Sequence, residues 1–383
     1  MKITGVAALE FRRTLDGRSY NPATRWNERR APLIALYTDE SSVGLGEAWS
    51  KPAEIALVLD CLAHACHGFV GRDIDDPALL AGVLDRGPRD VPNWVAPATA
   101  SAVEMALWDL RAKHAGQPLW RMLGTGGLTN HGAVSVYASG GLYRDGSDVS
   151  DLALEMERYL ADGFTAVKMK IGALPPKDDL ARVAAVRAAI GANATLWLDA
   201  VNQLSPVEAI TVCRALASAG AEAIQAPVPN EEIDTMAIIQ RDVLPVIAAE
   251  SEHMHAHFAA LLKSRAVGCL QFCLGLCGGY AGAARLTGMA AAHGVPSTPQ
   301  CNSTAIMQAA SLQFGAAQRN VATVEFHRFH DHLAALLPVC MRTVSAGKVT
   351  LDATPGIGIA TVEVGPQPCG GEIAVHAQFG AQS

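Results

Sequence analysis

Two lysines one residue apart, Lys168-Met169-Lys170, close the apolar run Phe164-Thr165-Ala166-Val167. In a β-strand, side chains two apart leave the same face. Both ammonium groups are therefore expected to project from the strand end into one space. Like charges held together disfavour protonation, so one lysine of such a pair can be lowered toward neutrality and serve as a base. A strand that merely ends in solvent would look the same locally. What lifts this pair above that reading is a series of similar strand ends along the chain.

From about residue 135, short apolar segments alternate with alanine-rich stretches of helix length. Strands are predicted over 135–138, 166–169, 195–198, 223–225, 246–249, 268–272, 297–299 and 323–326, with helices such as 151–162 and 176–190 between them. Eight strands with helical crossovers predict a β/α barrel rather than an open sheet. Chemistry in such barrels sits at the C-terminal strand ends. Taken in order, those ends carry Lys168 and Lys170, then Asp199 with Asn202, Gln225, Glu250, Cys273, Gln300 and Glu325. Lysines facing carboxylates across a barrel mouth suit proton abstraction next to a carboxylate, where a divalent metal held by acids stabilises the enolate.

The rest of the chain has a different texture. Residues 1 to about 50 alternate and turn, 52–123 keep apolar residues at helical spacing, and the 348–375 tail returns to strand and turn. These ends are expected to form one small α+β domain. With 383 residues, half of them hydrophobic and only 17% charged, the chain is long enough for a barrel with additions. A net charge of -7 without any basic run argues against nucleic acid. No apolar stretch is long enough to span a bilayer. Nine cysteines, an odd number without a C-x-x-C, point to reduced thiols and a cytoplasmic setting.

Several segments together resemble the enolase superfamily, most closely its mandelate racemase/muconate lactonizing enzyme-like branch. They are Gly44-Leu45-Gly46-Glu47-Ala48, Ala106-Leu107-Trp108-Asp109-Leu110, Val136-Tyr137-Ala138-Ser139-Gly140, Val167-Lys168-Met169-Lys170-Ile171-Gly172, Ile247-Ala248-Ala249-Glu250-Ser251 and Pro355-Gly356-Ile357-Gly358. Their order and spacing carry the resemblance, which covers essentially the whole chain. It implies an α/β fold: a modified (β/α)7β TIM-like barrel over 129–345, capped by an α+β domain of 1–128 that 346–383 rejoins. It also implies α-proton abstraction from a small carboxylate, a Mg²⁺ ion held by acids, and a homo-oligomer. By position, Asp199 and Glu250 fall on two metal ligands, Lys170 on a catalytic base with Lys168 beside it, and Glu325 near an acid that holds the substrate carboxylate.

Three residues of that pattern are replaced. Gln225 stands at a ligating carboxylate, Cys273 at the aspartate that orients a second base, and Gln300 at the histidine that is that base. An Asp-His dyad works as a unit, and its joint loss makes two-base racemisation with histidine improbable here. An amide keeps an oxygen but loses a full charge, so Mg²⁺ is expected to bind weakly through Asp199, Glu250 and, as weaker ligands, Gln225 or Asn202. Gln300 and Cys273 then become candidate substrate contacts.

Tyr20 and Arg25, on a polar loop expected to close over the mouth, are further candidates for substrate contact. Glu47 is a weaker one. His327, His330 and His332 are read as polar surface, a replacement base being the alternative. Gly278-Gly279 offers a backbone nest for an anion. The resulting expectation is a lyase or isomerase that abstracts an α-proton from a small hydroxy or sugar acid through Lys170. A non-enolising pseudoenzyme, binding protein or metal-independent enzyme is the alternative.

Overall fold

Burial along Ile3–Thr14 (β1) is continuous from Gly5 to Leu9, so this strand is covered on both faces, and Val6, Leu9 and Phe11 are buried in the core. The computed structural model describes residues 1–86, 91–124, 132–329 and 332–380. After the short Ser19–Tyr20 (β2) come Glu28–Thr38 (β3) and Val43–Glu47 (β4), which extend β1 into an antiparallel sheet. Helices Ile55–Ala65 and Val95–His114 pack on it. Gly44 and Gly46 explain how closely: a Cβ on Gly44 would strike the Ala106 carbonyl, and one on Gly46 the Ala102 carbonyl. Buried Asp109 on that helix accepts from the Leu45 and Ile357 amides at 3.0 and 2.8 Å and pairs with Lys113 at 2.8 Å. One carboxylate thus ties three stretches of the cap together.

The barrel follows. Its strands are Ala133–Ser139 (β5), Ala166–Lys170 (β7), Thr195–Asp199 (β8), Ala223–Gln225 (β9), Val246–Ala248 (β10), Cys269–Cys273 (β11), Ser297–Gln300 (β12) and Val324–His327 (β13), with the short Tyr143–Arg144 (β6) between the first two. They pair in parallel in the order β12-β11-β10-β9-β8-β7-β5-β13. Closure between β12 and β13 uses single contacts, the Thr298 hydroxyl to the Thr323 carbonyl (2.8 Å) and the Ala322 amide to the Ser297 carbonyl (2.9 Å). Helices of 9 to 15 residues cross between strands, among them Val149–Ala161, Pro176–Ile190 and Ala305–Ala317. This is the barrel the sequence predicts.

The tail divides its loyalties. Lys348–Thr350 (β14) pairs antiparallel with β5, so it still belongs against the barrel. Gly365–Pro366 (β15) and Glu372–Phe379 (β16) then join the cap sheet, where β16 lies beside β1. Cap and barrel are further joined where β2 pairs with β6. All nine cysteines are free thiols. Among the described residues no helix is long and apolar enough to cross a membrane.

Candidate active site

Sheet register assembles the site. Parallel pairing sets Lys170 beside Asp199, Asp199 beside Gln225, and Cys273 beside Gln300 at adjacent strand ends. On the far side of β5, β13 brings Glu325 and His327 round to the same mouth. Four residues distant in sequence therefore meet: Lys168, Asp199, Gln225 and Glu325, each at most 1% exposed.

Lys168 is held from three sides. Its Nζ donates to Gln225 Oε1 (2.7 Å) and Glu325 Oε1 (2.7 Å) and pairs ionically with Asp199 Oδ2 at 3.1 Å. It also stands 5.5 Å from the Tyr137 ring centre. Lys170, on the same strand face, donates to the same Asp199 oxygen at 2.5 Å. Burial works against a charge on Lys168, but the acids around it, Glu325 foremost, outweigh that and raise its pKa well above the ordinary lysine value. The expectation that the paired lysines push each other toward neutrality fails for Lys168, because carboxylates from two other strands reach it.

The acids respond in kind. Burial would raise Asp199, yet Lys170 and then Lys168 hold it below the usual carboxylate range. Glu325 likewise resists burial through Lys168, His327 and Lys170 and titrates at about 2. Its other oxygen accepts from the Cys301 amide at 2.9 Å. Glu325 is thus ionised with both oxygens engaged, one on Lys168 and one on the Cys301 amide. Glu250 goes the other way: desolvation and then the Asp199 charge push it up to about 7, against the pull of the lysines. Its Oε2 accepts from Gln225 Nε2 at 2.5 Å.

The other predicted residues divide. Cys273 is 2% exposed, and burial drives its thiol far above the usual range, so it is a neutral packing group and no nucleophile. Gln300 lines the mouth next to it, 5% exposed. Asn202 does not join the acids; it sits in a left-handed turn with Val201 (φ 60° and 51°), its Oδ1 buried without a protein partner. Tyr20 and Arg25 are tied to the rim instead of reaching inward: Arg25 pairs with Asp145 at 2.6 Å and stacks on Tyr20, which stacks on Tyr143. Glu47 is fully buried and accepts from Ser303, Thr304 and the Met307 amide, a brace between cap and barrel rather than a substrate contact. The Gly278-Gly279 nest is filled from within, because Glu104 accepts from the Tyr280 and Ala281 amides at 2.8 and 3.1 Å.

The histidine loop is not polar surface. His327 and His332 are 6% and 2% exposed. Burial lowers them to about 3 and about 2, with Lys170 and Arg29 pulling His327 the same way and Arg29 and Arg13 acting on His332. His330 lies outside the described residues. Cap residues cause the burial: Phe11 lies 5.6 Å from the His332 ring, Arg13 3.4 Å from its Nδ1, and Arg29 donates to the Asn302 carbonyl. Sequence reasoning also passed over Tyr137, whose hydroxyl accepts from Gln271 and whose ring meets Trp197. The signal was there, since Tyr137 and Ser139 alternate on a strand ending at the mouth. Among the described residues, Ser139 Oγ, Gln271 Oε1 and Asn302 Oδ1 are buried and find no hydrogen-bond partner.

Residues 21–124 match the mandelate racemase/muconate lactonizing enzyme N-terminal domain, and residues 151–363 match the enolase C-terminal domain-like family. The chain belongs to the enolase superfamily. Among its relatives in this superfamily, D-galactarolactone cycloisomerase of Agrobacterium fabrum is 32% identical over 94% of this chain and 96% of its own. Arabinonate dehydratase of Saccharolobus solfataricus is 27% identical over 69% of this chain and 70% of its own. A racemase from Streptomyces coelicolor, solved with bound magnesium, superposes with a TM-score of 0.82 at 24% identity, covering 93% of this chain and 96% of that one.

The residues here fit a magnesium ion poorly. Among the described residues no three His, Cys, Asp or Glu side chains gather as a metal site. Asp199 Oδ2 faces two ammonium groups, and Gln225 turns an N–H, not an oxygen, toward Glu250. Mg²⁺ requires converging oxygens near ideal octahedral geometry.

Proposed function

We propose that this superfamily member is an enzyme that abstracts the α-proton of a small acid-sugar carboxylate, with Lys170 as base, and completes the reaction as a lyase or isomerase. The observation that carries the reading is the contrast between the lysines. Lys168 donates to both Gln225 and Glu325 and pairs with Asp199, whereas Lys170 has, among the described residues, Asp199 alone as its carboxylate partner and stands two residues further along the strand toward the mouth. The named relatives, a cycloisomerase and a dehydratase acting on sugar acids, support the same class.

Lys170 rests as an ammonium paired with Asp199 and must first release a proton to solvent; as the neutral amine it then takes the proton of the C–H bond adjacent to the carboxylate as that bond breaks. The electron pair passes into the carboxylate as an enediolate. Lys168 contributes a fixed positive charge in a buried site, where such a charge acts far more strongly than in water. Cys273 and Gln300, at the positions opposite, contribute no second base: one is a neutral thiol and an amide cannot take a proton at neutral pH. The proton now on Lys170 then returns to carbon, or passes to a β-hydroxyl that leaves as water as its C–O bond breaks.

Incubating the protein with a panel of aldonic and aldaric acids in D₂O and following the α-proton by NMR tests the proposal. Exchange or turnover of at least one acid is expected; silence across the panel contradicts it. A second reading, a non-enolising binding protein, draws on the Gln225–Glu250 hydrogen bond, which commits two mouth residues to each other. Tight binding of an acid without exchange would favour it.

A further inference from the structure

The oxygens of Asp199, Glu325 and Gln225 that would have to turn toward a divalent ion in this pocket already face nitrogen. Asp199 Oδ2 meets both lysines, and Glu325 Oε1 and Gln225 Oε1 meet Lys168. Gln225 Nε2 meets Glu250 Oε2. The amide's orientation is fixed from both sides, because its oxygen must accept from an ammonium group and its nitrogen must donate to a carboxylate. Turning it over would set oxygen toward oxygen at Glu250 and N–H toward N–H at Lys168, leaving one Lys168 donor and one Glu250 acceptor without their partner.

Charge leads to the same result. Two ammonium groups stand among three carboxylates, so at most one negative charge is left over for a dication to neutralise. A carboxylate at position 225 would add the missing charge; the amide does not. An ion entering as things stand would have to displace a buried ammonium group that makes two hydrogen bonds and an ion pair, and would then face Lys170 across Asp199.

We propose that this pocket excludes divalent cations, and that the Lys168 ammonium, cradled by Asp199, Gln225 and Glu325, takes the electrostatic place such an ion would have. Gln225 is the residue that decides it. The inference rests on the same site as the enolisation reading but does not depend on turnover.

The test is the uptake of Mn²⁺ by chelator-treated, dialysed full-length protein, read from the electron paramagnetic resonance signal of the free ion. The wild type is expected to leave that signal undiminished. The near-isosteric Q225E is expected to take up one equivalent, at least about tenfold more tightly than wild type, and Q225E/D199N to lose it again. Circular dichroism and thermal unfolding of each variant confirm that the site is being read in folded protein. Stoichiometric uptake by the wild type that is lost in D199N would overturn the proposal. If folded Q225E also leaves Mn²⁺ free, the assignment of exclusion to Gln225 is overturned. Since no turnover is measured, an absence of α-proton exchange would leave this result standing, and metal uptake would leave the enolisation reading standing.

Discussion

Gln225 donates its side-chain nitrogen to Glu250 across 2.5 Å, and this one bond sets the character of the barrel mouth. Two adjacent strands that would otherwise present acids side by side present a donor and an acceptor. Glu250 keeps its proton to about pH 7, while Asp199 and Glu325, on the lysine side, remain ionised.

That contrast predicts a pH dependence of stability. Glu250 titrates at about 7 when folded, against about 4.3 in an unfolded chain. The folded state therefore binds an extra proton between those values. The associated stability is fully present below about pH 4.3 and is lost as the pH rises through about 7. Buried Glu104, also raised to about 7, adds a contribution of the same sign. Buried His327 and His332, held neutral, contribute with the opposite sign up to about pH 6.5. The wild-type urea midpoint is therefore compared with that of E250Q, relative to which it is expected to fall from about pH 5 to about pH 8. An unchanged slope in E250Q would show that Glu250 titrates normally.

Lys168 is expected to be a structural necessity. K168M leaves Glu325 buried without its main counter-charge and Asp199 with Lys170 alone, and such uncompensated loss costs about 3–5 kcal/mol. K168M/E325Q should recover part of that loss, a coupling that a double-mutant cycle from urea denaturation resolves. Strict additivity of the two single changes would contradict the network.

The cap offers an independent check. G46A drives a methyl group into the Ala102 carbonyl of the packed helix. Overpacking of this kind costs about 1–3 kcal/mol. A thermal midpoint equal to wild type would mean that β4 and the helix can part without loss.

Much of this was legible in the chain because strand ends announce themselves: an apolar run, a polar residue two positions from another, then a turn. Lys168, Lys170, Asp199, Gln225 and Glu325 were placed at one mouth on that ground, and register brings them together. What was not legible depends on partners distant in sequence. The direction of the Lys168 shift is set by acids on β8 and β13. The burial of His327 and His332 is set by cap residues such as Phe11 and Arg29, which a local reading of a histidine-rich loop cannot supply. Arg25 looked available because Asp145, its partner, lies 120 residues away.

The account stands or falls on Lys170. With an acid that wild type deuterates at the α-carbon, exchange by K170A is the most direct measurement, made alongside a binding assay for the same acid. Removing a general base costs about 10²–10⁴ in rate, so K170A is expected to lose exchange by that factor while still folding and still binding the acid. Exchange at the wild-type rate in K170A would contradict the central claim and assign the base elsewhere in the mouth.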